Sequence, residues 1–308
     1  MKPNPKTNRL AHNARRDFGE RLIEALLFIT AAISVLTTIA IVYVLVSESI
    51  RFFQHVSLWD FLTDTQWTPL FDDAHFGILV LISGTVVSAA VALAIAIPVG
   101  TVIAIYLSEF AGARVREIAK PTLELLGGIP TIIFGYFALL MVTPLLQKFF
   151  PTLPGFSLLS AGIVMGIMII PYITSLSEDA MRAVPMSLRE GSYAIGSGKL
   201  HTAIHIVVPA AVSGLAASYI LAISRAVGET MILAVAGLPP AIHPTLLGTP
   251  PGPAATITSF IVQVALGDLP HGSIGYQTIF AAGLTLILIT LCFNILGLWL
   301  RRKFREAY

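Results

Sequence analysis

Charged residues are scarce in this sequence: Asp, Glu, Lys and Arg make up 12% of its 308 residues, against about 25% in soluble proteins. Hydrophobic residues account for 56%, and the mean hydropathy is +0.83. Several apolar runs reach the roughly 20 residues that a helix needs to cross a bilayer core. The composition therefore excludes an ordinary soluble domain and indicates an all-α protein that crosses the membrane several times.

Residues that would support other functions are also missing. Cys292 is the single cysteine, so an intrachain disulfide is excluded, and His201 and His205 have no third metal ligand near them in the sequence. The absence of a Gly-x4-Gly-Lys-Ser/Thr loop argues against ATP binding by this chain. No combination of serine, histidine and acid indicates a catalytic site, and the basic tails are too short to indicate nucleic-acid binding. We therefore expect that this chain is not an enzyme and holds no cofactor or metal of its own.

Hydrophobic segments separated by polar loops predict six transmembrane helices, at residues 25–46, 77–107, 125–146, 158–176, 209–238 and 273–300. The apolar run 254–266 is too short to span a bilayer and predicts a re-entrant or interfacial helix. The chain is accordingly divided into an N-terminal tail (1–24), a six-helix transmembrane domain (25–300) and a C-terminal tail (301–308).

The distribution of Lys and Arg predicts the orientation in the membrane. Sixteen of the nineteen Lys and Arg residues lie in the two tails and in the loops 108–124 and 177–208. The three remaining loops together contain only two Lys or Arg residues; these loops are residues 48–76, 147–157 and 239–272. Because loops rich in Lys and Arg stay in the cytoplasm, both termini are expected to be cytoplasmic.

The predicted external loop 48–76 combines acidic and aromatic residues. It contains five Asp or Glu residues against one arginine, together with seven Phe or Trp residues. Aromatic residues next to spanning helices often form an interfacial belt. The alternative is a docking face for an external partner.

Two charged residues, Arg225 and Glu229, lie within the apolar run 209–238. A charge near the bilayer centre costs about 2.5–3.5 kcal/mol on insertion scales. Residues four apart lie on one face of a helix, so the two side chains are expected to pair and to face protein or a water-filled path. The pair is either a structural ion pair between packed helices or part of an anion site, because a guanidinium group matches phosphate-like oxyanions.

The loop 177–208 has the pattern of two short helices separated by a sharp turn. Pro185 can begin the first helix, Gly196 can supply the left-handed residue that ends it, and Ser197 can cap the second. An exposed helix of this kind suits a groove on a cytosolic partner protein. The alternative is an amphipathic helix that lies on the membrane.

Four residues of this loop have the spacing of the EAA loop of ABC-importer permeases, Glu-Ala-Ala-x3-Gly-x9-Ile-x-Leu-Pro: Glu190, Gly196, Ile206 and Pro209. The sequence departs from that motif at Gly191, Ser192 and Val208, which are all small or apolar replacements. The resemblance implies a type I ABC-importer permease fold, in which this loop carries the coupling helix that contacts the ATPase. The residues that the resemblance assigns to this contact are Arg189, Glu190, Gly191, Ser192, Gly196 and Pro209.

Residues 225–230, Arg-Ala-Val-Gly-Glu-Thr, resemble the Arg-Ala-x-Gly-Glu-Thr signature of the permeases of phosphate importers. Further stretches are more similar to the PstC-type subunit than to its PstA-type partner: residues 61–62, 67–69, 76–79, 128–130, 231–234 and 267–268. The resemblance implies that inorganic phosphate passes Arg225, Glu229 and Thr230, with Glu229 lowering the hold of Arg225 on the anion.

The resemblance also implies an assembly in a bacterial cytoplasmic (inner) membrane. Its expected partners are a second, homologous permease, a dimer of ATPase subunits that binds ATP and Mg, an external phosphate-binding protein, inorganic phosphate and the surrounding membrane lipid. Two other functions stay open. One is a permease for another oxyanion, such as sulfate, molybdate or a phosphonate, and the other is a membrane sensor that relays the occupancy of the binding protein.

Overall fold

The computed structural model of the protein describes residues 14–71, 73–237, 254–267, 269–270 and 272–303. Much of both predicted tails and of the predicted loop 239–272 therefore lies outside the described residues. The described part consists of the α-helices α1 (Ala14–Phe53), α2 (Leu58–Thr63), α3 (Ile78–Ile105), α4 (Ala113–Gly127), α5 (Thr131–Phe137), α6 (Thr143–Phe149), α7 (Leu158–Arg182), α8 (Met186–Ala194), α9 (Lys199–Thr202), α10 (Val208–Ala210), α11 (Val212–Val227), α12 (Met231–Ala236), α13 (Ile257–Ala265) and α14 (Ile274–Lys303). Three π-helical turns join some of them, π1 (Tyr106–Phe110), π2 (Ala138–Val142) and π3 (Ala203–Val207).

Five helical segments are long and apolar enough to cross a membrane: Gly19–Phe53, Ile78–Phe110, Thr131–Phe149, Leu158–Arg182 and Ile274–Trp299. The helices Lys199–Ala210 and Val212–Val227 meet the same criterion together but are bent by 73°. The described residues thus contain five candidate spans, or up to six if the bent pair is one span. This agrees with the predicted all-α membrane fold.

The helices α3 and α7 pack against each other in the centre of the bundle. Glycines of α7 allow the close approach, because a Cβ atom on Gly166 would lie 2.8 Å from the carbonyl oxygen of Ala92. A Cβ atom on Gly162 would lie 2.7 Å from the side chain of Val91. Small residues at such contacts are typical of membrane helices, which associate through close packing. The buried side chains around this contact include Ala89, Ala96, Val164, Met165, Met168 and Ile169.

A second core cluster encloses aromatic side chains of the segment 48–76. Phe52, Phe61 and Trp67 are at most 2% exposed. Their rings pack edge to face, with centroids 5.8 Å apart for Phe52 and Phe61 and 6.3 Å apart for Phe61 and Trp67. These three side chains belong to the folded core, so for them both the belt and the docking interpretation are wrong. Trp59 is 73% exposed.

Two segments that are predicted to be loops contain helices. The segment 48–76 holds the end of α1 and all of α2, and the segment 108–124 holds most of α4. The charged residues of α4 hide it from a search for apolar runs. Lys120 anchors α4 to α7 through ion pairs with Glu178, at 2.7 Å, and with Asp179.

The predicted third helix, 125–146, begins later than expected. The helix α4 ends at Gly127, and α5 begins at Thr131 with Pro130 as its N-cap. Proline has no N–H to donate and restricts the residue before it to extended conformations, so the chain breaks here.

The predicted fifth helix, 209–238, is not continuous. Its central part, α11, ends at Val227, and the short helix α12 begins at Met231; residue 238 lies outside the described residues. The apolar run 254–266 forms α13, which packs against α3, α12 and α14. Five of the nine residues of α13 are buried, so this helix lies inside the bundle rather than on its surface.

Candidate functional site

The break between α11 and α12 falls within the motif 225–230. Gly228 is the C-cap of α11, and its N–H donates to the carbonyl of Ser224 at 3.1 Å. Thr230 is the N-cap of α12, and its hydroxyl donates to the carbonyl of Gly228 at 3.2 Å. The hydroxyl of Thr258, on α13, donates to the carbonyl of Glu229 at 2.7 Å. The motif is therefore a sharp helix break that a neighbouring helix holds in place.

The carboxylate of Glu229 caps the second half of this broken helix. Its Oε1 atom accepts the backbone N–H groups of Thr230 and Met231, each at 3.1 Å. Glu229 is buried, with 7% exposure. A carboxylate at a helix N-terminus satisfies free N–H groups and interacts favourably with the helix dipole. Glu229 thus stabilises the fold of the break itself.

Arg225 lies in the last turn of α11 and contacts an aromatic ring. Its Cζ atom is 4.1 Å from the ring centroid of Tyr172, on α7, which is a cation–π contact. Its Nε atom is buried and has no hydrogen-bond partner, and the same holds for the hydroxyl of the adjacent Ser224. Two neighbouring buried polar groups are therefore left without a protein partner in the described part of the chain.

The predicted ion pair between Arg225 and Glu229 is not formed. Among the described residues, the salt bridges within 4.0 Å do not include this pair. The prediction assumed a continuous helix, in which a spacing of four brings side chains to one face. The helix ends at Val227, so that spacing no longer applies. The moderation of Arg225 by Glu229 through a direct ion pair is therefore not seen among the described residues, and its role in transport stays a prediction.

Tyr172 connects Arg225 to a cavity of about 460 Å³. The phenol group donates to the carbonyl of Gly127 at 3.2 Å, which fixes the ring across the break between α4 and α5. The cavity is lined by Glu124, Gly127, Gly128, Pro171, Tyr172, Ser175, Leu176 and Leu221. Leu221 precedes Arg225 by one helical turn, so the cavity opens beside the end of α11.

The predicted coupling loop contains the turn that its sequence predicts. Gly196 has a φ angle of +86°, which confirms the left-handed residue. Its N–H donates to the carbonyl of Tyr193 at 2.9 Å, and the N–H of Ser197 donates to that of Ser192 at 3.1 Å. This is the Schellman pattern that closes the C-terminus of a helix, here α8. The expected cap of the next helix is wrong by one residue, because Gly198 and not Ser197 is the N-cap of α9.

The six residues assigned to ATPase contact divide into two groups. Glu190, Gly191, Gly196 and Pro209 are exposed, whereas Arg189 and Ser192 are buried. The hydroxyl groups of Ser192 and Thr202 are 2.9 Å apart, a hydrogen bond that ties α8 to α9. Ser192 thus faces the interior of the loop. The exposed group could still meet a partner, and its assignment stays a prediction.

Arg189 is a structural residue in this chain. Its guanidinium group donates to both carboxylate oxygens of Glu109, in π1, at 2.9 and 3.2 Å. It also donates to the carbonyls of Met181 and Val184, at 2.8 and 2.7 Å. With 8% exposure, Arg189 cannot form part of a docking surface without leaving these partners. It fixes α8 to the end of α7 and to π1.

Sequence reasoning missed two residues of these sites, Tyr172 and Glu109. Tyr172 lies in an apolar helix, where an aromatic residue is most often part of the core. Glu109 is a carboxylate at the end of a long apolar run, and this position is a weak signal for a buried ion pair. The sequence does not show that these residues contact the two arginines, because Tyr172 is 53 residues from Arg225 and Glu109 is 80 residues from Arg189.

The fold is that of an all-α protein with several candidate membrane spans, and comparison with known proteins identifies its family. Residues 96–306 match the family described as binding-protein-dependent transport system inner membrane component. The chain belongs to this family.

Two relatives and one solved structure describe the similarity in more detail. The chain is 35% identical over 250 residues to a probable ABC transporter permease protein, YqgH, of Bacillus subtilis, with 80% of each chain covered. It is 34% identical over 255 residues to the phosphate transport system permease protein PstC of Mesorhizobium japonicum, with 75% of each covered. A chain of a bacterial alginate ABC transporter has the same fold, with a TM-score of 0.63, 16% identity and coverage of 96% of this chain and 98% of that chain. The predicted ABC-importer permease fold is confirmed.

Proposed function

We propose that this chain is a permease subunit of an ATP-driven importer for inorganic phosphate, of the PstC type. Its family and the phosphate permeases among its relatives support a role in transport rather than in catalysis. The structural observation that carries the proposal is Arg225, a cation of the helix break that has no carboxylate partner in the described part of the chain.

The environment of Arg225 suits an oxyanion. Arginine stays charged at any physiological pH, and its planar group binds phosphate oxygens in pairs. The ring of Tyr172, 4.1 Å away, holds the guanidinium group without neutralising it. Because Glu229 is engaged with α12, it leaves the positive charge available. Phosphate would approach Arg225 from the side of Tyr172, whose ring contacts Arg225 and also borders the cavity.

The assembly follows from the proposal and from the charge pattern. Both termini and the coupling loop lie in the cytoplasm, as the positive-inside rule predicts. The exposed face of α8 with Glu190 contacts a dimer of ATPase subunits. These subunits bind ATP and Mg, for which this chain has no binding motif. A second, homologous permease completes the path within the membrane lipid, and an external phosphate-binding protein delivers the anion.

Uptake of radiolabelled phosphate, normalised to assembled complex, tests this proposal in cells without other phosphate transporters. Arg225→Met should reduce uptake by about ten- to a hundredfold, the effect of losing charge-assisted hydrogen bonds to the anion. Arg225→Lys keeps the charge but loses the planar fork, and should transport at an intermediate rate. Arg114→Met, which removes an exposed cation of α4, is the matched control and should transport normally.

Normal uptake by Arg225→Met would contradict the role of this residue. Competition by sulfate, molybdate or a phosphonate at concentrations equal to phosphate would instead indicate another oxyanion as substrate. Loss of uptake with intact signalling to a phosphate regulator would contradict the sensor function, and loss of signalling with intact uptake would support it. The three results are distinguishable in one strain set.

A further inference from the structure

A second cavity, of about 590 Å³, lies beside the coupling loop and away from Arg225. Residues from π1, α4, α7, α8 and α9 line it: Ser108, Glu109, Arg116, Arg182, Met186, Arg189, Tyr193 and Lys199. We propose that this cavity binds a phosphate group, either that of an acidic lipid headgroup or a soluble phosphate. This site is separate from the proposed translocation path and does not depend on its substrate.

The charges around the cavity are unbalanced. Its lining contains four cations and one carboxylate, Glu109. Both oxygens of that carboxylate are already taken by Arg189, at 2.9 and 3.2 Å. Arg182 lies 3.6 Å from Glu178, a buried carboxylate that also pairs with Lys120. The one carboxylate of the lining therefore neutralises one of the four cations.

Two of the lining cations form no salt bridge within 4.0 Å among the described residues. Arg116 is half-buried on α4 and takes part in no ion pair there. Lys199 lies at the start of α9, with its ammonium nitrogen 5.3 Å from the ring centroid of Phe110. Like Tyr172 at Arg225, this ring holds a cation without neutralising it. Cations brought together from separate helices repel one another, and an anion between them removes that repulsion.

The chemistry of the cavity suits a phosphate group. Guanidinium groups bind phosphate oxygens in pairs, and a lysine adds a third point of positive charge. The volume lies within the range of about 300–1,000 Å³ that is usual for small-molecule sites, so it accepts a phosphate ester as well as the free ion. On the proposed orientation the cavity is at the cytoplasmic surface, where basic pockets meet acidic lipid headgroups.

An occupant would contact the coupling helix directly. Met186, Arg189 and Tyr193 of α8 form one wall, and Arg116 and Arg182 lie on other helices. A phosphate group between these walls would hold α8 against α4 and α7. The site therefore links the lipid or phosphate content of the cell to the position of the helix that is predicted to contact the ATPase.

Binding to the full chain in phosphatidylcholine nanodiscs tests this proposal. All variants carry Arg225→Met, so that phosphate bound in the translocation path is not counted. One arm measures radiolabelled inorganic phosphate by equilibrium dialysis, and the other measures retained phosphatidylglycerol by native mass spectrometry. Arg116→Gln with Lys199→Gln should weaken the binding of either inorganic phosphate or phosphatidylglycerol by at least about tenfold. This is the effect of losing one or more charge-assisted hydrogen bonds.

The matched control is Arg114→Gln with Lys148→Gln, which removes two exposed cations that do not line the cavity. Phosphatidylglycerol binding that only the cavity variant loses supports a lipid headgroup, and phosphate binding that only it loses supports a soluble ligand. Equal weakening by both pairs, or no binding of either probe before substitution, overturns the proposal. The single variants Arg116→Gln and Lys199→Gln repeat the test independently of how the double variant folds.

Discussion

Arg189 and Arg225 are both buried or half-buried, yet their surroundings are opposite. The side chain of Arg189 makes four hydrogen bonds, two to Glu109 and one each to Met181 and Val184. Arg225 has an aromatic ring at 4.1 Å, and its buried Nε has no partner in the described part of the chain. A cation whose three nitrogens all donate hydrogen bonds to the protein holds the fold together. A cation whose donors are free can exchange a ligand.

The largest expected effect in this comparison is on the stability of Arg189→Met. The substitution leaves the carboxylate of Glu109, 5% exposed as a side chain, buried without its partner. Removing one member of a buried ion pair typically costs about 3–5 kcal/mol. We expect a strong decrease in membrane abundance and in the thermal unfolding temperature of the purified chain.

The double variant Arg189→Met with Glu109→Gln is the control for this prediction, because it removes the unpaired charge. It should recover much of the lost stability. If Arg189→Met alone unfolds at the wild-type temperature, the description of Arg189 as a structural residue is wrong.

The second prediction concerns Tyr172, which holds Arg225 in place of a carboxylate. Tyr172→Leu removes the cation–π contact, which is worth about 0.5–2 kcal/mol. The apparent KM for phosphate should rise by about two- to thirtyfold, with little change in abundance. Tyr172→Phe keeps the ring and loses only the hydrogen bond to Gly127, so its KM should change less. Equal KM values for the leucine and phenylalanine variants would show that the ring does not hold Arg225.

The third prediction separates the observed role of Glu229 from the one expected from sequence. Glu229→Gln keeps an oxygen that accepts the N–H groups of α12 but loses the favourable charge at the helix N-terminus. This should cost about 0.3–1 kcal/mol, measured as a small decrease in the unfolding temperature. A loss of about 3–5 kcal/mol, as for Arg189→Met, would mean that Glu229 is the counter-ion of Arg225 after all.

The smallest expected effect concerns an ion pair at the surface, Asp64 with His75. Their side chains lie 2.8 Å apart and are 24% and 36% exposed. The hydrogen bond from His75 to Asp64 raises the pKa of His75 above its usual value. Burial alone would raise the pKa of Asp64, but the hydrogen bonds from His75 and from the backbone of Gln66 outweigh it and lower that pKa.

The sign of the pH dependence follows from these two shifts. A raised histidine pKa means that the protonated ring stabilises the folded loop, so the contribution is lost as the pH rises through the pKa of folded His75. The lowered carboxyl pKa means that it is also lost as the pH falls through the pKa of folded Asp64. Hydrogen exchange at the N–H of Thr68, which donates to the carbonyl of His75 at 2.9 Å, should show weak protection that decreases above the His75 pKa. His75→Gln should remove this dependence, and an unchanged profile in that variant would contradict the assignment.

The features that depend on local sequence were predictable. Apolar runs predicted the spanning helices because the bilayer sets their length. The glycine at position 196 predicted a left-handed turn because glycine adopts that conformation without strain. The contacts of Arg189 and Arg225 were not predictable in the same way. Glu109, the partner of Arg189, is far away in the sequence. Which face of the short helix α8 packs against the rest of the protein depends on the helices around it. The hydrogen bond that Thr258, from another helix, donates to the carbonyl of Glu229 in the break after Val227 was likewise not predictable.

The π turns bear on how far the effect of a single-residue deletion would reach in these helices. A π turn generally contains one residue more than the α turn that it replaces, and an extra residue rotates the rest of a helix by about 100°. Glu109 lies inside π1 (Tyr106–Phe110). Deletion of one residue of π1 is therefore expected to direct a neighbouring side chain towards Arg189 in place of Glu109. A single-residue change at this turn should thus break an ion pair whose other member lies 80 residues away in the sequence.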